Sequence, residues 1–512
     1  MFLPVAISDL PSPAPDDSPE VVELKRQLHW AHLKIQVLEE RLRLQRIQKY
    51  GPGSEKLSDA QLELLELEPG VSRQEVQAES TREPLPPRTR PRQRPHPGRQ
   101  ELLPDLPRVE RVIGCTLEQC QCSQCGQPTT VIGYETSEQL DVEPAKYFVL
   151  VTKREKRACR HCEQGGLAAA PVPARIIEKG LVSDRVVIDT VISKYSDHLP
   201  LYRQSVMLER ETGVEISRAT LDGWVMTVGG LLIPMTAAMG RELVSGTYIQ
   251  ADETPVHVQM HDRRGKNHQA YLWQYGRPGA SVVFDFQLGR GRDGPKTFLA
   301  GFTGILQTDG YAAYDKVGGP KLVHAACWAH ARRKFFEAHQ LNPGESVAKG
   351  IVLLIDELFG IDAEARAQNL DFAARDMLRQ QRARPLLDTI KQAIEAARGQ
   401  ALPASKLGGA ITYTLGLWER LKRFLDYPEL ELSNNLAENS MRGVALGRKN
   451  WIHIGSPQAG PKVAAILSVV ESCRRLDIPV REYLGAVLPG LADVSIQKLT
   501  GLTPAAWAAR NR

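Results

Sequence analysis

The tightest limit on the fold of this chain comes from residues 246–341. Apolar and β-branched residues cluster at strand length over 247–251, 255–260, 269–275 and 281–286, which predicts strands. A helix over 295–300 follows, then a strand ending at Asp309, a short helical segment over 311–314, a strand over 321–326 and a helix from Trp328. Strands in succession, then helix and strand in alternation, describe a mixed α/β sheet. Two acids stand at strand ends: Asp252 closes 247–252 and Asp309 closes 304–309. A third, Glu438, sits in the helical-looking segment 433–442. Asp309 and Glu438 are 129 positions apart, whereas a helix and strand unit needs about 30. The surplus carries helical periodicity over 352–359, 372–384, 386–398 and 411–425, which predicts an all-α insertion before the helix of the third acid.

Acids at strand ends and on one helix face can converge on metal ions. Phosphodiester cleavage uses two hard divalent cations about 3.5–4 Å apart, and Mg²⁺ takes oxygen ligands. Asp252, Asp309 and Glu438 are candidates to hold Mg²⁺ (or Mn²⁺), two ions to a site, or else are sheet-end caps and surface charges, and the motifs around them decide between the two. Glu253 points to the opposite face of its strand and is the weaker candidate.

The motifs Ala251-Asp-Glu-Thr254, Thr308-Asp-Gly-Tyr311, Cys327-Trp-Ala-His330 and Asn434-Asn-Leu-Ala-Glu438 together resemble the signature of a DDE transposase of the insertion-sequence 66 family. The resemblance reaches the amino-terminal helix, the cysteine pairs and Gly501-Leu-Thr-Pro-Ala-Ala-Trp507, so it covers nearly the whole chain. It implies a ribonuclease-H-like core in which the first and fourth strands lie side by side, placing Asp252 next to Asp309. It also implies hydrolysis of one strand at each element end, followed by attack of the freed 3′-hydroxyl on target DNA. Cys327 and His330 face one side of a helix start, and the resemblance gives them a supporting role beside the acids or a contact with the scissile strand. Two readings compete with that role: plain packing, and a metal site completed by His324.

Outside the core, other patterns carry information. Val21, Leu28, Ile35 and Leu42 occupy one heptad position and Leu24, Ala31 and Leu38 another, which predicts a short coiled-coil seam that either pairs with a second copy, giving a homo-oligomer of at least a dimer, or packs against its own chain. Arg88, Arg90, Arg92, Arg94 and Arg99 lie among prolines, either a solvated linker or a DNA-contacting arm. Cys122-Ser-Gln-Cys125 and Cys159-Arg-His-Cys162 offer four thiolates for structural Zn²⁺. Cys115 and Cys120 are nearby extras, Cys120 being able to replace Cys122, and His161 is a bystander. Residues 201–224 carry a helix-turn-helix pattern with Ser217 as N-cap and Arg218 placed for DNA, or else form a helical spacer. Arg442, one turn after Glu438, and Arg448 and Lys449 are candidate phosphate contacts. Trp451 is a stacking surface or a core aromatic, and Arg332, Arg333 and Lys334 are phosphate contacts or a solvated face.

The expected organisation is a multidomain α+β chain. It comprises a leader (1–20), a coiled-coil segment (21–68), a Pro/Arg-rich linker (69–107), a zinc-binding module (108–175) and a helical DNA-binding region (176–240). The catalytic core occupies 241–340 and 431–475 around the all-α insertion (341–430), and a helical cap closes the chain (476–512). Net charge is only +5, so nucleic-acid binding must come from local clusters. No secretory signal and no run of about 18 apolar residues is visible, which predicts a cytoplasmic, nucleoid-associated protein without a membrane partner. The expected partners are double-stranded DNA, as element ends and target, and accessory proteins of the same element. A non-catalytic DNA-binding relative and a nuclease or resolvase that cleaves without joining are the alternative functions.

Overall fold

A computed structural model describes residues 17–50, 127–128, 147–157, 168–178, 180–260, 265–342, 346–399 and 401–511. Residues 85–151 separate from the rest as their own compact unit. The six cysteines from Cys115 to Cys162, His161, the arginines from Arg88 to Arg99 and the leader 1–16 lie outside the described residues.

Helix α1 (Pro19–Tyr50) leaves its heptad residues Val21, Leu24, Leu28, Ile35 and Leu38 exposed in the single chain. Two short strands, β1 (Lys156–Arg157) and β2 (Ala168–Ala169), pair antiparallel. Helices α2 (Asp184–Tyr195), α3 (Leu201–Thr212) and α4 (Arg218–Val244) follow. Gly213 ends α3 with φ 69°, a conformation without steric cost only for glycine. Ser217 caps α4 by accepting from Thr220 N at 3.1 Å, as its position predicts.

The helix-turn-helix pattern meets a longer second helix at α4 than such a motif needs. Its start and the preceding turn match the pattern and Arg218 is exposed, but the helix continues for 27 residues. Leu221, Val225, Val228, Leu232, Met235 and Met239 are buried in the same hydrophobic cluster as the central sheet, so α4 is a core helix and residues 176–240 are no free-standing module. By length and composition α4 could cross a membrane, yet half of its most apolar window is buried within the protein. At Gly229 an added Cβ would sit 2.7 Å from Lys462 Cβ and 2.8 Å from Lys462 O, which is why α4 can lie so close to the later helix α13 (Ala459–Arg475).

Five strands make the central sheet: β3 (Tyr248–Val258), β4 (His268–Gly276), β5 (Val283–Gln287), β6 (Ile305–Thr308) and β7 (Val323–Ala326). Their order is β5-β4-β3-β6-β7. β3 pairs antiparallel with β4 and parallel with β6, and β6 pairs parallel with β7. The strands expected at 247–251 and 255–260 are one strand. Pro255 does not interrupt it because β6 pairs with β3 only at Tyr248–Gln250, so a missing N–H on that side breaks no ladder bond. The Pro255 carbonyl, facing the same side, accepts from Arg448 Nη1 at 2.6 Å.

Helix α5 (Asp293–Phe298) connects β5 to β6, and α6 (Trp328–Leu341) leaves β7. The edge strand β5 is covered by α13, whose Ser468 and Ser472 hydroxyls accept the N–H groups of Phe284 and Val282, each at 2.8 Å. The sheet edge is thus closed against pairing with another chain. The predicted insertion is helical: α7 (Ser346–Ala367), α8 (Phe372–Leu378), a π-helical turn (Arg379–Ala383), α9 (Arg384–Arg398), α10 (Lys406–Gly416) and α11 (Trp418–Leu421). Helix α12 (Asn435–Trp451) then returns to the sheet, followed by α13 and the short helices α14 (Val480–Val487), α15 (Ile496–Leu499) and α16 (Pro504–Asn511).

A buried ionic cluster fixes the insertion. Arg379 grips Asp362 through Nε at 2.9 Å and Nη2 at 2.7 Å, and donates to the carbonyls of Phe424 and Leu430, both at 2.9 Å. Arg375 bridges Asp362 (2.8 Å) and Glu431 (3.0 Å), and Arg366 also pairs with Glu431. Burial works against the charge on Asp362, but Arg379 and Arg375 outweigh it and hold the carboxyl below its usual range. Arg379→Ala is therefore expected to cost about 3–5 kcal/mol, the range for breaking one side of a buried charge pair, measured by urea unfolding at neutral pH. Because the folded-state pKa of Asp362 is depressed, its contribution is present above the ordinary carboxylate value near ~4 and is lost as pH falls through the depressed one. The difference between wild type and Arg379→Ala should accordingly narrow in acid.

Candidate active site

The site begins with two strands in matched register. β3 and β6 pair Tyr248 with Ile305, Ile249 with Leu306 and Gln250 with Gln307. Carried two residues past the end of that ladder, the register would put Asp252 opposite Asp309, and Asp309 does act on the Asp252 carboxyl. Asp252 lies inside β3 and Asp309 one residue beyond β6, in the bend that follows it. Tyr311 N donates to Asp309 Oδ1 at 2.8 Å, and the Tyr413 hydroxyl donates to the Asp309 carbonyl. Gly310 adopts φ 89°, and a Cβ there would lie 2.5 Å from Leu417 Cδ1, so only glycine fits between the acid and the insertion.

Two residues before each acid, on the same strand face, stands a fully buried glutamine. Gln250 Nε2 donates to Tyr248 Oη (2.8 Å), Gln307 Oε1 (3.1 Å) and the Ser433 carbonyl (3.0 Å). Gln307 Nε2 donates to the Glu431 carbonyl at 2.7 Å, and Tyr248 Oη donates to Gln307 Oε1 at 2.5 Å. These side chains tie the strands of the first two acids to the segment that leads into α12 and the third. Sequence reasoning passed them over, although the repeat of Gln-x-Asp at 250–252 and 307–309 was a visible signal.

Glu438 lies in the first turn of α12, where the positive end of the helix dipole favours an anion. Its Oε1 is 3.5 Å from His330 Nδ1 and its Oε2 is 3.4 Å from Arg333 Nη2. Burial opposes charge on His330, but Glu438 and Cys327 raise its pKa to about 10. Burial, then Glu438 and Glu253, push the Asp252 carboxyl well above the usual range, with Asp309 adding to the effect. Such crowding of buried carboxylates is relieved by cations, and an all-oxygen donor set suits Mg²⁺ or Mn²⁺. The amide of Asn434, the N-cap of α12, is fully buried and finds no hydrogen-bond partner among the described residues.

Other sequence candidates separate. Glu253 is held elsewhere, accepting from Arg290 Nη2 at 2.7 Å and Tyr314 Oη at 3.0 Å. His324 does not complete a site with Cys327 and His330: it is flanked by Arg420 and Asp315, and the donor that joins the pair is Glu438. Arg448 Nη1 is used to fasten α12 to β3, at Thr254 Oγ1 (3.0 Å) and the Pro255 carbonyl. Arg442 lies one turn beyond Glu438, partly buried, while Lys449 is exposed. Trp451 folds back over Gly447 and packs on the hydrophobic cluster. Arg332 is buried against Asp356 at 2.6 Å, so it belongs to the core.

Comparison with known proteins gives three family matches. The model described as "Transposase IS66 family" covers residues 179–462, "zinc-finger binding domain of transposase IS66" covers 119–163, and "Transposase C of IS166 homeodomain" covers 37–111. Among individual proteins, the chain is 32% identical to the uncharacterized protein y4qI of Sinorhizobium fredii (strain NBRC 101917 / NGR234) over 93% of this chain and 89% of the relative. It is 30% identical to the uncharacterized protein y4hP of the same strain, over 93% and 88%.

The raised pKa of Asp252 has a stability consequence. A group whose folded pKa is raised contributes stability that is fully present below its unfolded value and is lost as pH rises through the folded one, so ionising Asp252 with no cation beside it costs stability. Asp252→Asn should therefore raise the thermal midpoint in chelator. Added Mg²⁺ should raise the midpoint of wild type by ligand linkage and leave that of Asp252→Asn nearly unmoved. A variant that melts lower than wild type in chelator would show that the acids are not in electrostatic conflict.

Proposed function

The chain belongs to the IS66 transposase family, and from that premise we propose that it is a cut-and-join DNA transposase acting through Asp252, Asp309 and Glu438. The supporting observation is the matched register of β3 and β6, which carried two residues further would put the two aspartates opposite each other, with α12 bringing Glu438 close enough to shift the Asp252 carboxyl. The strand order, three antiparallel strands and then two parallel to the first, supports a ribonuclease-H-like core.

On this reading the three carboxylates hold two divalent cations, which when bound supply Lewis-acid activation of the attacking oxygen and stabilisation of the leaving one. The chain contributes placement. β3 and β6 fix two acids on a rigid sheet, the buried glutamines hold the entry to α12, and Arg448 secures that helix along β3. His330 and Arg333 face the two oxygens of Glu438 and orient its carboxylate. Water would be the first nucleophile, freeing a 3′-hydroxyl that then attacks a target phosphodiester.

Binding to DNA would draw on several places. Arg442 and Lys449 on α12, and Arg218 at the exposed start of α4, are the proposed phosphate contacts. The arginines 88, 90, 92 and 94 are further proposed phosphate contacts. Cys122, Cys125, Cys159 and Cys162 fall within the matched zinc-finger segment and are the proposed Zn²⁺ ligands. The exposed seam of α1 supports pairing with a second copy through a coiled coil. The family reading also carries a nucleoid-associated location and cooperation with accessory proteins of the element.

The deciding experiment is a strand-transfer assay on DNA bearing the element's own ends, with Mg²⁺ or Mn²⁺, comparing wild type with Asp309→Ala. Joined product is expected from wild type, and a loss of about 10³-fold or more from the variant, since metal-held charge stabilisation is worth several kcal/mol. Cleavage without joining would replace this reading with a nuclease. Binding without either, with accessory proteins supplied, would replace it with a DNA-binding relative.

A further inference from the structure

Cys327 leaves β7 as the N-cap of α6, fully buried, with its Sγ accepting from Asn434 N at 3.5 Å. One turn on, His330 lies on the same face, and α12 brings up Glu438. One ligand atom from each of the three lies within 4.8 Å of the others, and His330 Nδ1 is 3.5 Å from Glu438 Oε1. In a tetrahedral zinc centre, bonds of about 2.0–2.3 Å place neighbouring donors about 3.3–3.6 Å apart. The His330–Glu438 edge already has that length, and the edges to sulfur need contract by little more than about 1 Å.

This donor set differs in kind from the all-oxygen set that Asp252, Asp309 and Glu438 present. A thiolate and an imidazole select zinc, cadmium or cobalt, whereas carboxylates alone suit magnesium and manganese. Glu438 is the member common to both. Its Oε1 is the oxygen that faces His330, at 3.5 Å, so a cation held at Cys327 and His330 takes one of the two oxygens that Glu438 would offer beside the aspartates and draws the carboxylate toward α6.

We propose that Cys327, His330 and Glu438 form a second metal site, for a thiophilic divalent cation such as Zn²⁺, which competes with the Mg²⁺ site for Glu438 and shuts it down when filled. The cation binds the thiolate and the neutral imidazole, releasing their protons to solvent. The remaining ligand position is open to water. The binding part stands on geometry alone, and the inhibitory part rests on the transposase reading above.

The test uses the full-length chain with its cysteine-rich module already filled with zinc. Co²⁺ is titrated in, following the thiolate-to-cobalt absorption in the near ultraviolet and measuring any zinc displaced. Wild type should take up one further equivalent per chain with a thiolate band and without releasing zinc. Cys327→Ser and His330→Asn, each checked for folding by its thermal midpoint, should lose that equivalent. In the cleavage assay, excess Zn²⁺ should lower Mg²⁺-dependent cutting by wild type at least about tenfold, and more Mg²⁺ should restore it. No additional thiolate-bound equivalent in wild type, or one that persists in Cys327→Ser, overturns the site. Cobalt bound at Cys327 without zinc inhibition of an active enzyme overturns the competition. A protein that cuts no DNA with any metal counts against the transposase reading and the inhibition built on it, while the cobalt titration still decides the site.

Discussion

Everything around the acids depends on one buried polar contact: two strand glutamines bonded to the carbonyls of an incoming loop. Gln250 and Gln307 occupy positions where a sheet core would ordinarily take Val or Ile. Their amides bond Ser433 and Glu431 as well as each other and Tyr248. A buried amide left without partners costs about 1–3 kcal/mol, so the sheet is stable only when residues 431–433 are seated on it. That requirement places the start of α12, and with it Glu438, at a set height above the two aspartates.

The same loop is held from its other side. Glu431 contributes its backbone to the sheet and its carboxylate to Arg366 and Arg375, which belong to the helical insertion. Arg379 adds the carbonyls of Phe424 and Leu430. The insertion therefore serves as a rigid wall behind the third acid. Its contact at Gly310, where Leu417 fills the space a side chain would take, brings the same wall against the second.

Much of this was legible in the sequence. The strand pattern and the motif context around Asp252, Asp309 and Glu438 located the sheet and the acids, and helical periodicity across 352–425 located the insertion. Other features depend on tertiary context. Pro255 reads as a strand break because its neighbour on the β6 side ends early, which no local pattern reveals. The start of α4 carries helix-turn-helix chemistry, but the long apolar run after it is decided by what it packs against. The association of Glu438 with Cys327 and His330, rather than of His324, depends on the return of α12 over a separation of about a hundred residues. For the cysteine pairs, the zinc-finger match at 119–163 supports the spacing argument.

The distance along the chain between the acids also orders their appearance in time. Asp252 and Asp309 emerge from the ribosome within one folding unit, whereas Glu438 follows 129 residues later, on the order of ten seconds at ordinary rates of synthesis. During that interval the glutamines have no loop to bond and the insertion has no Glu431 to grip. On the three-acid reading, a nascent chain thus holds an incomplete cutting centre. On that reading competence waits for the segment that carries Glu438, so the long insertion acts as a delay as well as a wall.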